Sequence, residues 1–380
     1  MKKIGYLWLV RLVSWLSHFR QSQQVIYLMS FADNLAFIEQ LHQRVGDRLM
    51  VYYLPAAETG ARKLLPAGIT IRPFHDSLRF AVTGIPVLTT AADIYCDNYF
   101  AFTAGLKRRS TQRLIQLWHA SGAIKAFGWG DPQTQQRGTA DQRRFQAVYD
   151  QMTDFVVGSE KMGQVFASSY QLPKTRMRVL GYPRSDRYCQ PDWVRATRTT
   201  IYEKYPALQG RDVILYAPTY RAGVTFTLPA DFSQLKLADN QVLVLKLHPH
   251  LADQAQRLYE RYPNLITLVP TFSTDELLTV TNTLISDYSS VIFDYALLPN
   301  CQKIVFFTFD WDSFQRSVGL QADFKQWAPG TFVKTTAALD QVLKQPANPS
   351  QLASFNQLWN TKNDGQATER TLDYFYPRSN

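Results

Sequence analysis

The chain has 380 residues, more than a single hydrophobic core usually supports, so two domains are expected. Hydrophobic residues make up 46% of the chain and charged residues 19%, which excludes a largely disordered protein. The net charge of +10 lies entirely in residues 1–180, which contain 22 Lys and Arg against 12 Asp and Glu. This asymmetry indicates an anionic partner of the first half, nucleic acid or an acidic membrane, unless the protein is simply basic.

The first predicted element is a short apolar helix over residues 1–21. Residues 4–19 would extend about 24 Å as a helix, too short for the roughly 30 Å of a membrane's hydrocarbon. Arg11 interrupts the apolar run and no small-residue cleavage site follows, so a signal peptide is not indicated. Polar positions such as Arg11, Ser14 and His18 recur at three- and four-residue steps, while Trp8 and Trp15 lie among the apolar ones. The pattern favours an amphipathic helix at a membrane interface over nucleic-acid binding, the alternative being a helix packed on the protein's own core.

From residue 24 onwards, short apolar strands alternate with stretches of helical periodicity. This alternation predicts an α/β fold with parallel sheets and right-handed crossovers. We expect two Rossmann-like, doubly wound domains, over residues 22–182 and 183–380. Ligands of such sheets bind beyond the carboxyl ends of the strands, so two facing domains would line one cleft. The predicted strands are 24–31, 48–54, 69–75, 93–100, 113–119, 154–159 and 176–182 in the first half, and 212–220, 242–250, 264–270, 283–287 and 303–309 in the second.

The first chemically suggestive stretch is RLIQLWHASG, residues 113–122. Its strand is predicted to end at His119, and Ala120, Ser121 and Gly122 would leave room for a substrate beside the imidazole. Because histidine titrates near neutral pH, His119 is a candidate general base. The alternative is a strand-end histidine that is hydrogen-bonded to the backbone.

Three further motifs follow apolar runs in the second half. In KLHPH, Lys246, His248 and His250 place cationic or donor groups that suit a phosphate or diphosphate. In YAPTYR, Thr219 and Arg221 offer contacts to another phosphate oxygen. In SDYSS, Ser289 and Ser290 are predicted to open a helix whose N-terminus favours an anion. Structural roles, such as ordinary helix capping, remain open for each motif.

Metal chemistry is weakly indicated. Asp310 and Asp312 have Asp-x-Asp spacing, which we interpret as coincidence, and the His248–His250 pair has no third ligand at a suggestive spacing. The three cysteines, Cys96, Cys189 and Cys301, are far apart and odd in number. They argue against a disulfide framework or a Cys-rich metal site and are typical of a reducing compartment. We expect no cofactor and no metal.

The motifs QLWHASGAIKAFG, GYPRSD, YAPTYR, KLHPH and SDYSSVIFDYALL, in this order, resemble the CDP-glycerol glycerophosphotransferase family of wall teichoic acid synthesis. The resemblance runs from about residue 24 to about residue 345. The WHASGAIKAFG form and the short chain are more similar to the primases of that family than to its polymerases. The resemblance implies a GT-B architecture, an acceptor-binding first domain and a CDP-glycerol-binding second domain.

The resemblance also implies roles for individual residues. His119 would be the catalytic base, and His248 would act in catalysis at the donor diphosphate. Further CDP-glycerol contacts would be Thr219, Arg221, Ser289 and Ser290. Candidate acceptor-binding residues are Asp97, Asn98, Lys125, Arg184 and Asp186, of which the first two follow a predicted strand of the first half.

The implied reaction transfers glycerol phosphate to a hydroxyl of an undecaprenyl-diphosphate-linked disaccharide of the ManNAc-GlcNAc type, releasing CMP. The implied location is peripheral, on the cytoplasmic face of the cell membrane, where the basic half would meet anionic lipid; no nucleic-acid partner is expected. Three alternatives stay open: a poly(glycerol phosphate) polymerase of the same family, a nucleotide-sugar glycosyltransferase of the same architecture, and a membrane scaffold without catalysis. Homo-oligomerisation also stays open.

Overall fold

The computed structural model describes residues 2–221 and 224–378. The chain divides into two compact units. The first unit comprises Met1–Ser121, Phe127–Asp186 and Lys362–Asn380, and the second comprises Gly122–Ala126 and Arg187–Thr361.

The elements alternate along the chain as its hydrophobic pattern predicts. The strands are β1 (Val25–Met29), β2 (Leu49–Tyr53), β3 (Thr70–Pro73), β4 (Asp93–Cys96), β5 (Arg113–Gln116), β6 (Asp154–Val157), β7 (Met177–Val179), β8 (Asp212–Tyr216), β9 (Gln241–Leu245), β10 (Ile266–Leu268), β11 (Thr283–Ser286), β12 (Lys303–Phe307) and β13 (Thr331–Val333). The helices are α1 (Lys2–Ser17), α2 (Leu35–Val45), α3 (Glu58–Arg62), α4 (Leu78–Thr90), α5 (Pro132–Gln135), α6 (Thr139–Gln151), α7 (Glu160–Tyr170), α8 (Pro191–Lys204), α9 (Ala252–Arg261), α10 (Thr274–Leu278), α11 (Val291–Tyr295), α12 (Trp311–Ser317), α13 (Phe324–Trp327), α14 (Thr336–Leu343), α15 (Pro349–Trp359) and α16 (Ala367–Phe375).

Each unit is built on one parallel sheet. The first has the strand order β3-β2-β1-β4-β5-β6-β7 and the second the order β10-β9-β8-β11-β12-β13. Every residue of β1 and β2 is buried, as expected of strands covered on both faces. In each sheet the order reverses beside the first strand, between β1 and β4 and between β8 and β11. These are the switch points at which open α/β sheets bind ligands.

The C-terminal segment belongs to the first unit rather than the second, in which the predicted boundaries place it. Leu372 and Phe375 of α16 lie in the hydrophobic core of the first sheet, where the Phe375 ring meets Tyr95 edge-on at 6.0 Å between centroids. Residues Gly122–Ala126 were predicted to belong to the first domain, but in the structure they belong to the second unit. The predicted boundary after residue 182 lies close to the structural one after Asp186.

Helix α1 packs along α4 and turns an apolar side outward. Leu7, Val10 and Ser14 are buried, and the Ser14 hydroxyl lies 2.8 Å from Thr89 Oγ1 and accepts a hydrogen bond from the amide of Lys107. Ser14 therefore faces inward, although the sequence places it on the polar side. The apolar outer side, hereafter the α1 face, consists of Ile4, Trp8, Leu12, Trp15, Leu16 and Phe19, together with Leu78 and Val82 of α4. Within the described ranges, no helix is long and apolar enough to cross a bilayer.

Candidate active site

His119 lies just beyond the carboxyl end of β5, but the strand ends earlier than predicted. Strand pairing stops at Gln116, whose side-chain oxygen accepts a hydrogen bond from the amide of Trp118 at 2.9 Å. Trp118 has φ = 63°, a left-handed conformation that is costly for a non-glycine residue. The chain therefore turns sharply at Trp118, immediately before the histidine.

Two aromatic rings hold the partly exposed imidazole of His119. Trp118 stacks on it with 4.4 Å between centroids, and the ring of Phe31 lies 5.2 Å away. Phe31 follows β1, so the imidazole is held by residues from the carboxyl ends of two strands. An imidazole held at this edge and partly open to solvent is suited to accept a proton from a bound substrate.

Asp97 organises the loop that carries Phe31. Its carboxylate, 1% exposed, accepts hydrogen bonds from the backbone amides of Ser30 and Phe31 at 2.8 to 3.1 Å. Burial raises the pKa of Asp97 to about 7, although these hydrogen bonds oppose the rise. The neighbouring Asn98 accepts a hydrogen bond from Gln116 Nε2 through its backbone oxygen. In the structure, both predicted acceptor residues thus order the surroundings of His119.

Arg184 and Asp186 of the GYPRSD motif also lie in the first unit, and both are buried. Arg184 Nη1 donates a hydrogen bond to Ser121 Oγ at 3.0 Å, two residues beyond His119. Asp186 accepts hydrogen bonds from the amides of Ala367 and Thr368, in the first turn of α16. Within the first unit, the motif therefore links the loop that carries His119 to the C-terminal helix α16.

The small residues after His119 have a packing role as well as a steric one. A Cβ atom at Gly122 would lie 2.3 to 2.4 Å from ring atoms of Phe293, closer than any carbon–carbon contact allows.

Lys125, predicted to contact the acceptor, lies in the second unit. Burial lowers the pKa of Lys125, while the charge of Asp287 opposes this effect and that of Arg221 adds to it. Lys125 thus lies near Asp287 and Arg221 of the second unit.

The second-half motifs converge at the carboxyl edge of the second sheet. YAPTYR follows β8, KLHPH follows β9, SDYSS follows β11, and Asp310 follows β12. Strands β9, β8, β11 and β12 are consecutive neighbours in this sheet. The structure therefore brings these motifs to one edge, with Thr219 and Asp287 on either side of the switch point.

Asp287 holds this edge together. It accepts hydrogen bonds from the amide and hydroxyl of Thr219, at 2.8 and 2.6 Å, and from the amide of Tyr288. Its side chain is buried, and burial raises its pKa against the effect of these bonds. In the structure, the Thr219 hydroxyl donates its hydrogen to Asp287, so it can donate to a phosphate oxygen only if this bond is exchanged for the new one.

Arg221 is fixed between two carboxylates. It pairs with Asp310 and, at 3.4 Å, with Asp287, and its guanidinium lies 4.7 Å from the centre of the Phe314 ring. Burial lowers the pKa of Arg221, but the two carboxylates more than compensate and the net change is upward. Asp310 also accepts a hydrogen bond from the Tyr288 hydroxyl. Asp310 thus links Arg221 to Tyr288.

His248 is exposed and stacks on Tyr220, with 4.3 Å between ring centroids. His248 Nδ1 accepts a hydrogen bond from the amide of His250 at 3.3 Å. Partial desolvation and the neighbouring His250 lower the pKa of His248 below its usual value, which favours the neutral ring at pH 7. With Nδ1 occupied, Nε2 carries the proton and is the atom available to donate to a ligand oxygen.

Ser289 and Ser290 lie at the same edge and are partly exposed. Ser289 Oγ accepts a hydrogen bond from the amide of Val291 at 3.4 Å, and Ser290 precedes α11. Helix α11 has only five residues, shorter than the predicted amphipathic helix, so the anion-binding argument rests on the hydroxyls rather than on a helix terminus.

Sequence reasoning missed three contributors to these edges: Phe31, which contacts the His119 ring; Tyr220, which stacks on His248; and Asp287, which orients Thr219 and Arg221. Each lies at the end of a predicted strand, so its position in the sequence was the only indication that it could contribute to a site. Among the residues that the structure describes, no group of three or more His, Cys, Asp or Glu side chains is placed to bind a metal ion.

Comparisons with known proteins point in one direction. A sequence model of the CDP-glycerol:poly(glycerophosphate) glycerophosphotransferase family matches residues 16–376. A teichoic acid glycerol-phosphate primase of Bacillus spizizenii is 30% identical over 363 residues, covering 94% of this chain and 93% of the relative. A protein of the same description from Bacillus subtilis is 28% identical over 361 residues, covering 93% and 92%. A solved structure of the wall teichoic acid polymerase TagF has a TM-score of 0.73 at 18% identity, covering 96% of this chain and 92% of that one.

Two parallel-sheet α/β units of this kind define a GT-B-like fold. The chain belongs to the CDP-glycerol:poly(glycerophosphate) glycerophosphotransferase family. The family resemblance and the enzyme class predicted from the motifs, a CDP-glycerol glycerophosphotransferase, are thereby confirmed.

Proposed function

We propose that this chain is a teichoic acid glycerol-phosphate primase. It transfers glycerol phosphate from CDP-glycerol to a hydroxyl of an undecaprenyl-diphosphate-linked disaccharide. Two primases of this description support the proposal, because each aligns with this chain over more than nine-tenths of its own length.

In the proposed reaction, His119 accepts the proton of the acceptor hydroxyl as that oxygen attacks the β-phosphorus of CDP-glycerol. A new O–P bond forms, the bond from this phosphorus to the bridging oxygen breaks, and CMP leaves with the bonding electrons. The observation that carries the proposal is the position of His119, partly exposed at the carboxyl edge and held by Phe31 and Trp118. Catalysis of this kind depends mainly on positioning and on stabilising charge at the phosphate oxygens.

The second unit binds the donor in this proposal. His248 donates through Nε2 to a diphosphate oxygen, and the hydroxyls of Ser289 and Ser290 add neutral donors at the same edge. Arg221 contributes guanidinium N–H donors from a fixed position, because Asp287 and Asp310 hold it. A held cation loses little conformational entropy when the substrate binds.

The test compares His119→Ala with His248→Ala in an assay of CMP release. Since a general base typically contributes about 10²- to 10⁴-fold, His119→Ala should lower kcat by that factor and leave CDP-glycerol binding unchanged. His248→Ala should weaken CDP-glycerol binding and also lower the rate. His42→Ala on α2 serves as the matched control and should retain wild-type kinetics. Wild-type turnover by the His119 variant would exclude this residue as the base.

Product length separates a primase from a polymerase of the same family. A primase converts a short-chain lipid disaccharide into a product carrying one or two glycerol phosphates, whereas a polymerase makes a ladder that lengthens with donor concentration. Mass spectrometry of the product, with CDP-glycerol in large excess, distinguishes the two. Replacing CDP-glycerol by UDP-sugars in the same assay tests the glycosyltransferase alternative.

We further propose that the enzyme is peripheral on the cytoplasmic face of the cell membrane, with the α1 face in the lipid interface. Five large apolar side chains of α1 and that of Phe19 just after it are exposed, and two of them are tryptophans, which favour the interface. Exposed cations accompany this face: Arg11, Arg20, Arg79 and Lys107.

Two other basic residues of the first unit have internal partners. Arg109 donates to the backbone oxygens of Thr89, Thr90 and Ala91, at the end of α4. Arg113 pairs with Asp93 at 2.6 Å. The positive charge available to anionic lipid therefore comes from the exposed cations, not from these two arginines.

A further inference from the structure

Besides the His119 region, the described part of the first unit contains a cavity of about 1120 Å³. Its wall is formed by the start of α1, the β3–α4 connection, the segment after β4, and the N-terminal part of α6. Two of these segments leave the carboxyl ends of strands. The cavity thus lies at the edge where open α/β sheets bind ligands.

The cavity borders the α1 face directly. Leu78 lines the cavity and is 71% exposed as part of that face. Gly5, Tyr6 and Leu7 line it from α1, and their neighbours Ile4 and Trp8 are exposed members of the face. A ligand with an apolar tail and a polar head can therefore lie across this border.

The polar lining combines cations with aromatic rings. Arg137 and Arg144 both line the cavity, and the Arg137 guanidinium lies 5.2 Å from the centre of the Phe145 ring. Tyr99 lies 5.7 Å from Phe145 between ring centroids. Burial raises the pKa of Tyr99, and the two arginines oppose the rise, which places their charges near its hydroxyl.

The acidic lining is partly neutralised. Asp141 pairs with Arg144, and Asp76 is the other lining carboxylate. Burial and the charge of Asp76 raise the pKa of Tyr6 to about 12, so its hydroxyl remains protonated and can donate a hydrogen bond at neutral pH. Aromatic faces beside carboxylates and hydroxyls suit a sugar ring, whereas guanidinium groups suit phosphate oxygens.

We propose that this cavity binds the head group of a lipid-anchored sugar diphosphate, with the prenyl chain lying along the α1 face. Arg137 and Arg144 contact the diphosphate, and the carboxylates and rings contact the sugar. This inference rests on the proposed function, since it assigns a binding place to the acceptor of that reaction. An anionic phospholipid offers the same lipid-bound phosphate chemistry, so the test separates the two sources.

The experiment uses the full-length Arg137→Gln/Arg144→Gln variant, with Arg143→Gln as the matched control. Arg143 is exposed on the same helix α6 and does not line the cavity. Steady-state kinetics give KM for a short-chain prenyl diphosphate disaccharide and, separately, for CDP-glycerol. Calorimetry with farnesyl diphosphate and sedimentation with phosphatidylglycerol vesicles measure binding without turnover.

We expect the double variant to raise the acceptor KM about 10- to 100-fold and to weaken farnesyl diphosphate binding by a similar factor, as removed charged hydrogen bonds predict. The KM for CDP-glycerol and vesicle binding should stay at wild-type values, and Arg143→Gln should change neither affinity. An unchanged acceptor KM would overturn the inference while leaving the proposed function intact. Loss of vesicle binding equal to the loss of farnesyl diphosphate binding would assign the cavity to bulk phospholipid and likewise overturn it.

If the wild-type enzyme transfers no glycerol phosphate to the acceptor, the proposed function fails, and farnesyl diphosphate binding still decides the inference. Weaker binding by the double variant than by Arg143→Gln then supports a diphosphate site, and equal binding rejects it.

Discussion

Replacing Trp8 and Trp15 by glutamine should detach the enzyme from anionic membranes. The two side chains are 65% and 52% exposed, so neither supports the core of the first unit. With about 250 Å² for a tryptophan side chain, these fractions correspond to roughly 160 and 130 Å² of accessible surface. At about 25 cal/mol per Å², complete transfer of this area from water would contribute ~7 kcal/mol to membrane binding.

An interfacial helix removes only part of that area from water. If one quarter is transferred, the loss is ~2 kcal/mol, or roughly 20-fold in the partition coefficient. Sedimentation with sucrose-loaded vesicles of phosphatidylglycerol and phosphatidylcholine measures this coefficient. The control is Leu358→Gln, which changes an exposed apolar residue of α15 in the second unit.

The variant should keep the wild-type melting temperature, because the contacts of Leu7, Val10 and Ser14 with the core remain. Deleting α1 would be a poorer test, since it also exposes the α4 surface that these residues cover. Wild-type partitioning by the folded double variant would refute membrane binding through the α1 face.

Two further predictions concern stability. The pKa of Asp97 is about 7 in the folded state, whereas an unfolded aspartate has a pKa of about 4, so the folded state binds more protons between these values. Stability should therefore fall as pH rises through this window, and thermal melting of Asp97→Asn should show a weaker pH dependence than wild type; identical slopes would contradict the role of Asp97. Gly122→Ala places a Cβ against the Phe293 ring and should lower the free energy of unfolding by about 1–3 kcal/mol, measured by urea denaturation. Gly138→Ala, with no atom within 4 Å of the new Cβ, is the control, and equal losses in the two variants would reject the steric explanation.

Hydrophobic patterning was sufficient to predict the strands of both sheets where they are buried on both faces. The apolar runs around Tyr27, Val51 and Leu215 lie in β1, β2 and β8, as predicted. The short edge strand β13 was not predicted, because three residues carry too little periodicity to be recognised.

Features that depend on long-range contacts could not be predicted from local pattern. The sequence around Trp118 has the composition of a strand, but the hydrogen bond to Gln116 and the left-handed turn end the strand before it. Similarly, nothing in the sequence of α16 indicates that Leu372 and Phe375 complete the core of a sheet formed by the first half of the chain.

In the candidate site, too, the positions of residues could be predicted from local pattern, whereas their long-range partners could not. Positions of His119, His248 and Thr219 at strand ends followed from sequence, because polar residues after an apolar run mark the carboxyl edge of a parallel sheet. The carboxylates that hold Thr219 and Arg221 did not follow, since Asp287 and Asp310 lie just after β11 and β12, distant in sequence from both residues.

The return of α16 to the first unit determines how the chain can be divided into expression fragments. A fragment cut after residue 182 would lack the side chains of Leu372 and Phe375 and would leave apolar cavities beside Tyr95. It would also lack Asp186, whose carboxylate binds the amides of Ala367 and Thr368 at the start of α16. A fragment of the first unit alone would therefore need residues 362–378 joined back by a linker, so inserting a sequence into a loop would disturb this chain less than truncating it.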